Sequence, residues 1–541
     1  MADLIAINGN IQTQNPQRPR AEALAVCGGR ISAVGDTAEI RAMARPGTQV
    51  IDLKGRLTLP GFTESHIHFY DWSVGRKWPE ISAVRSLGEL LSVVRAAAGD
   101  PAKREVSGGW IIGQGWNESG WPEGRMPNRD DLDRVAGQRP VILWRSDLHL
   151  AVASSRALSL AGITAQTPDP DQGVICRDKT GRPTGILQDL AINRVKAEIP
   201  AVTEAEAMSA MTDAMSALHA LGITGIHDLR LMDGTEGPPC FRALQRLNAE
   251  NRLRLRVWTC IPGHLMDDAI RLGLRTGMGD DMLRIGHVKL FSDGGLGAHT
   301  AWMSEPFADG SCGIPLRPMS DIADMLRRAE GAGLAVAVHA IGDRANRELI
   351  RVFEQLERER PESAHHTRSR VPHRMEHLQL MQTEDIERLA RLDIVGSVQP
   401  RQATDDIILT DRELGERGRL AYRFRDMLTH GIPLTFGSDC PVTAPDPLSG
   451  IHAAVTRQRE DGTPEGGWYP EQRIRVAQAI HGYTVGPAKA TGQWADAGSL
   501  TPGKLADFVV TDRDIRTADP GEIPETRVVL TVLGGNVVYE G

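Results

Sequence analysis

The stretch Gly61-Phe62-Thr63-Glu64-Ser65-His66-Ile67-His68 decides the fold. It closes an apolar run that reads as a strand, and side chains two apart on a strand share a face. His66 and His68 therefore point the same way, and imidazoles so placed can chelate one divalent metal. An H-x-H alone is weak evidence. It gains weight at the C-terminal end of a parallel barrel strand, where barrel enzymes keep their sites.

The residues downstream supply such a barrel. Apolar, β-type runs at 57–64, 222–228, 253–261, 284–291, 334–339, 374–378, 394–398 and 433–437 alternate with Ala/Leu/Arg-rich helical stretches such as 321–331 and 345–358. That alternation is the pattern of βα units around a parallel sheet, and eight strands predict a (β/α)8 TIM barrel in the α/β class. Residues 69–221 separate the first two strands and are expected to form an inserted α/β subdomain beside the barrel mouth. Without them the eight strands span about 230 residues, close to the roughly 250 of a plain barrel.

Short strands mark both ends of the chain, so a small β-domain built from 1–56 and 496–541 is expected beside a barrel of 57–495. Asn8-Gly9-Asn10 reads as a hairpin turn. The polar segment 357–371, with His365-His366, reads as a solvated turn.

Composition narrows the class. The 541 residues are 24% charged and 41% hydrophobic with a net charge of −8, which argues against a nucleic-acid surface. No apolar run approaches ~20 residues and the start carries no basic leader, so we expect a cytoplasmic protein with no membrane contact. The six cysteines are scattered without a C-x-x-C and read as reduced thiols. Six of the ten tryptophans (72, 78, 110, 116, 121 and 144) fall in the insert. Trp116, in Gly113-Gln114-Gly115-Trp116-Asn117, is a candidate substrate contact, suited to a bulky apolar group.

Three more metal-ligand types end other strands: His339 in Val336-Ala337-Val338-His339, His377 in Arg374-Met375-Glu376-His377, and Asp439 in Phe436-Gly437-Ser438-Asp439. Together with the H-x-H they offer the imidazole and carboxylate donors that Zn, Fe, Mn or Ni prefer. Lys289 is the most diagnostic residue. In His287-Val288-Lys289-Leu290-Phe291 the apolar neighbours share the outer face, so Lys289 points inward. An ammonium there meets severe desolvation and repulsion from metal ions, whereas the carbamate formed with CO2 is an anion able to bridge two cations. The alternative is a lysine ion-paired to a carboxylate such as Asp293.

These segments resemble the amidohydrolase superfamily, and within it the amidohydrolase-3 group of YtcJ-like proteins that includes N-substituted formamide deformylase. The matching motifs are Pro60-Gly61-Phe62 with His66-Ile67-His68, Val288-Lys289-Leu290-Phe291-Ser292-Asp293-Gly294, His339-Ala340-Ile341-Gly342-Asp343-Arg344, Arg374-Met375-Glu376-His377 and Gly437-Ser438-Asp439-Cys440-Pro441. Gly173-Val174-Ile175 and Gly181-Arg182-Pro183-Thr184-Gly185 in the insert also fit, as does the closing Gly498-Ser499-Leu500-Thr501-Pro502-Gly503-Lys504-Leu505-Ala506-Asp507. Departures are Glu64, Ser154 and His299, where the group commonly has Asp, Asn and Arg; none is a metal-ligand position.

The resemblance implies a barrel whose terminal β-domain is a β-sandwich, and a metal-dependent hydrolase of a linear C–N amide bond, of the N-formyl or N-acyl amine type, acting on a small molecule. It implies one or two divalent ions, zinc by preference. His66, His68 and Asp439 would hold one ion and His339 and His377 a second, with carbamylated Lys289 between them. Asp439 would be the general base and acid. Deamination, or cleavage of an ester or cyclic amide, is the rival chemistry, although His339 lacks the H-x-x-E of the deaminases. A regulatory protein on the same frame is the non-enzymatic rival. His227, His299 and Arg344 are further candidate substrate contacts, while Asp147 and His149 of the insert are expected to be structural. The assembly is left open, with a homodimer as one option.

Overall fold

The computed structural model describes residues 2–100, 108–359 and 371–541; His365 and His366 lie outside them. Its central sheet has eight parallel strands: β1 (Phe62–Ile67), β2 (Ile223–Asp228), β3 (Arg256–Pro262), β4 (Leu283–Phe291), β5 (Val336–Ala340), β6 (His373–His377), β7 (Ile394–Val398) and β8 (Leu434–Phe436). Each strand pairs in parallel with its successor. β5, Val-Ala-Val-His-Ala, is buried along its whole length, as a parallel strand covered on both faces must be.

The ring closes at its mouth. Ile67 bridges Cys440 in parallel, Asp439 N–H donates to the His66 carbonyl (2.7 Å) and His68 N–H donates to the Cys440 carbonyl (2.8 Å). Closure therefore sets the H-x-H directly beside Asp439. The outer helices carry one apolar stripe each. Asp343–Glu359 buries Asn346, Leu349, Ile350, Phe353 and Leu356, a three-four spacing, and Glu204–Ala220 opens on a Thr203–Glu206 capping box.

One expected strand divides in two. Residues 57–64 do not form a single barrel strand: Leu57–Pro60 pairs with Phe508–Thr511 and Asn10–Gln12 in another sheet, and the barrel strand starts at Phe62. Pro60 offers no N–H to a ladder, and the backbone changes partner at Gly61, whose N–H goes to Asp507 and whose successor's goes to Gly222. A side chain at Gly61 would collide with Thr224 at 2.3 Å.

Strands from both ends of the chain lie in a four-stranded and a six-stranded sheet that pack through Leu4, Leu24, Val26, Phe508, Val510 and Val532. Asn8-Gly9 is not a hairpin turn. With Asn8 in the left-handed region (φ 57), it carries the chain from Leu4–Ile7 in one sheet to Asn10–Gln12 in the other.

The insert is built on a five-stranded sheet covered on both faces. Ile111 and Leu143 face one apolar cluster and Ile112 and Ile142 the other, as alternation along a strand requires. Among the described residues no helix is long and apolar enough to cross a membrane.

Candidate functional site

At the C-terminal ends of the barrel strands lies a cavity of about 1740 Å³. His66, His68, Lys289, His339, His377 and Asp439 all stand on its wall. His66 comes from β1, Lys289 from β4, His339 from β5 and His377 from β6, while His68 and Asp439 follow β1 and β8. His377 and Asp439 lie in the left-handed region (φ 73 and 58), a conformation costing ~1–3 kcal/mol that persists only where the surroundings impose it.

Three of the six form a tight group. One donor atom from each of His66, His377 and Asp439 lies within 4.8 Å of the other two. His68 joins through Asp439, its Nε2 being 3.0 Å from Asp439 Oδ1. His339 joins through His377, with ring centroids 4.5 Å apart, and its Nε2 lies 3.1 Å from the Gly294 carbonyl. His66 Nε2 is 3.2 Å from Asp439 Oδ1, yet among the described residues neither buried atom has a partner in hydrogen-bond geometry. Two buried lone-pair atoms, a nitrogen and a carboxylate oxygen, facing each other on a cavity wall fit a cation between them, and the donor set suits a divalent metal.

Buried polar groups behind the cluster orient it. Glu376 Oε2 accepts from His66 Nδ1 at 2.7 Å and Gln399 Oε1 accepts from His377 Nδ1 at 3.0 Å, which turns both Nε2 lone pairs towards the cavity. Glu376 is itself held by the Arg374 guanidinium. Glu64 accepts the His66 and Ser438 N–H groups at 2.9 Å each, clamping the strand ends that carry two of the three group members. Burial pushes the Glu64 carboxyl up to about 8. Burial also drives His377 down to about 3 and His66 below its ordinary value, leaving neutral imidazoles, the form that binds metal. Asp439 is held below the usual carboxylate range: burial opposes its charge, but the imidazoles of His66, His68 and His377 outweigh it.

Lys289 is 2% exposed, and burial pushes its ammonium below the ordinary lysine value. The ion pair to Asp293 is not formed. Asp293 is taken by the N–H groups of Trp302, Ile341 and Gly342, and Lys289 Nζ sits 4.7 Å from the Phe291 ring centre.

Trp116, His227, His299 and Arg344 do not stand on the wall of this cavity. Trp116 is fully buried in the insert, its indole N–H donating to the Leu143 carbonyl (3.1 Å) and its ring against Trp121. It is off the cavity wall because its strand turns that side chain towards the insert core. His227 is enclosed below the mouth, 2.8 Å from Arg374. His299 stacks on Phe307 between Asp309 (2.7 Å) and Glu413 (3.3 Å), which draws it away from the cavity. Arg344 is exposed, with its guanidinium over Trp302.

Conversely, Asp147 and His149 do reach the cavity. The His149 ring lies 5.3 Å from that of His339 and its Nδ1 is 2.7 Å from Asp189, while Asp147 pairs with the buried Arg145. Gln399 and Gln402 carried no sequence signal. Glu376 did, since Arg374 and Glu376 sit two apart on β6 and so share a face, opposite Met375.

A barrel of this construction, with histidines and an aspartate converging at its mouth, defines a hydrolase scaffold built to hold metal. The amidohydrolase family matches residues 49–539, and the chain belongs to it. It is 31% identical over 538 residues to the protein YtcJ of Bacillus subtilis (strain 168), covering 98% of each chain. It is 28% identical over 560 residues to the N-substituted formamide deformylase of Arthrobacter pascens, covering all of this chain and 99% of that one. Among solved structures, an uncharacterized metal-dependent hydrolase from Pyrococcus horikoshii OT3 superposes with a TM-score of 0.76 at 27% identity, over 96% of this chain and 99% of the other.

Proposed function

We propose that the protein hydrolyses a linear C–N amide bond, of the N-formyl or N-acyl amine type, with divalent metal at the mouth cluster. The observation that carries this is the pair of buried, unpartnered atoms His66 Nε2 and Asp439 Oδ1 facing each other inside a converged donor group. His66, His68 and Asp439 would hold one ion, zinc by donor preference. His339 and His377 would hold a second, with Lys289 as its carbamate between them; a buried lysine without a carboxylate partner supports that reading. The metal supplies Lewis acidity, lowering the pKa of water and polarising a carbonyl.

The chain's own residues do the rest. Asp439 takes the proton of the attacking water and returns it to the departing amine nitrogen. Gln402 Nε2 donates to Asp439 Oδ2 at 3.1 Å, which fixes the carboxylate with Oδ1 towards the imidazoles. Glu376 and Gln399 keep the imidazoles aimed, and the insert covers the mouth. The deformylase relative supports an amide as substrate.

The test is a metal count on purified protein together with a screen of N-formyl and N-acyl amines, read by amine release, with esters and cyclic amides in parallel. Release from linear amides by metal-replete protein is expected. Turnover of esters or cyclic amides alone, or none at all, would overturn the reading.

A further inference from the structure

The cavity has a second charged region beside the metal cluster. Asp71 stands in the first turn of the helix Phe69–Gly75, three residues after His68. Asp233 and Glu236 come from the segment after β2, and Lys196 from the insert helix Asn193–Lys196. All four line the cavity.

Their charges do not cancel. Lys196 Nζ is 3.0 Å from Asp233, and the buried Arg230 guanidinium is paired with Asp228. That leaves Asp71 and Glu236. Glu236 is 4% exposed; its Oε1 accepts the Leu231 N–H at 2.9 Å, but its buried Oε2 has no hydrogen-bond partner. Asp71 Oδ2 is likewise buried and unpartnered. Burial, together with the charge of Asp71, pushes the Glu236 carboxyl up to about 7, and burial raises Asp71. Lys196 and Arg230 favour both charges from a distance, but burial outweighs them, and two buried carboxyls on a cavity wall without an ion pair of their own are costly unless something positive meets them.

A metal ion is the wrong occupant. The donors His66, His377 and Asp439 are the one His/Cys/Asp/Glu group among the described residues that converges within 4.8 Å, so Asp71, Asp233 and Glu236 do not form a compact cage. An organic ammonium suits two separate carboxyls better, because its three N–H donors can reach separate acceptors. Tyr70, Trp72 and Trp78 on the same wall offer apolar surface to the carbon chain that carries it.

We propose that Asp71 and Glu236 form a subsite for an ammonium group, so that the protein takes amides carrying a second, cationic nitrogen. The subsite deepens the amide reading and rests on it for the orientation of substrate.

Titration calorimetry on the whole, metal-replete protein tests it, with short α,ω-diamines and monoamines of matched length as probes. At least one diamine should bind about tenfold more tightly than its monoamine. Asp71→Asn and Glu236→Gln should each erase most of that advantage. Lys196→Met, which frees Asp233, should enlarge it. No diamine advantage at any length, or an advantage that survives both amide substitutions, would overturn the subsite. Amine release from N-formyl monoamines and N-formyl diamines separates the two readings. Diamine-selective binding without turnover keeps the subsite and sinks the amide reading; turnover without diamine selectivity does the reverse.

Discussion

Glu376 Oε2 lies 2.7 Å from His66 Nδ1, and both side chains are essentially removed from solvent. The contact decides which nitrogen of His66 keeps its proton: Nδ1 donates to the carboxylate, and Nε2 is left with its lone pair towards Asp439. Partners of this kind typically contribute ~10–100-fold in metal affinity. Glu376→Gln should therefore lower metal affinity by about that factor in a chelator competition, with the far-ultraviolet circular dichroism retained. Unchanged affinity would show that the tautomer is set by something other than Glu376.

Asp439→Asn removes the negative charge and the proton acceptor but keeps the shape. The fold should survive, because Asp439 is tied into the ring closure through its backbone N–H to His66 rather than through its carboxylate. Amine release should fall to near background. Turnover close to wild type in a variant confirmed by mass and melting curve would remove Asp439 from the proposed chemistry.

Lys289→Ala separates a bridging lysine from a merely buried one. If Lys289 holds two ions together, the variant should bind fewer metal ions per chain than wild type by elemental analysis. Equal stoichiometry in both proteins would count against the bridge, whatever happened to activity.

The shared wall of His66, His68, Lys289, His339, His377 and Asp439 was legible because two periodicities carry it. Alternation along a strand gives the facing, and a parallel barrel puts every strand's C-terminal end at the same mouth. The rest of the cavity wall was not legible, for it depends on how separate elements meet. Trp110 and Trp116 share the insert with Trp72 and Trp78, yet the fold turns the first pair towards its cores and places the second on the cavity wall, and nothing in their local sequence separates them. His149 has the opposite history: it reads as part of a structural motif, and the sheet of the insert delivers it to His339. The division of residues 57–64 was hidden because Pro60 and Gly61 interrupt an apolar run without ending it.

Trp116→Ala is thus a stability variant rather than a specificity variant. Removing a fully buried indole from a packed cluster costs about 3–5 kcal/mol, so the melting temperature should drop clearly. Ranking of aromatic against aliphatic amide substrates should stay as it is. A changed ranking with an unchanged melting temperature would return Trp116 to the cavity wall.

Asp406 gives a prediction about pH. It lines the cavity, accepts from Tyr422 Oη at 2.5 Å and from Gln379 Nε2 at 3.2 Å, and burial pushes it up to about 6 from an ordinary 3.8. A carboxyl whose folded value is raised holds its proton longer than the unfolded chain does, so folding loses stability as pH climbs from about 4 to about 6 and loses no more above that. Asp406→Asn has no proton to lose and keeps an acceptor oxygen for Tyr422. The stability of the variant relative to wild type should therefore rise across that window and then level off, read from melting curves between about pH 4 and pH 8. A difference that stays flat across the window would mean that Asp406 ionises in the folded protein as easily as in water.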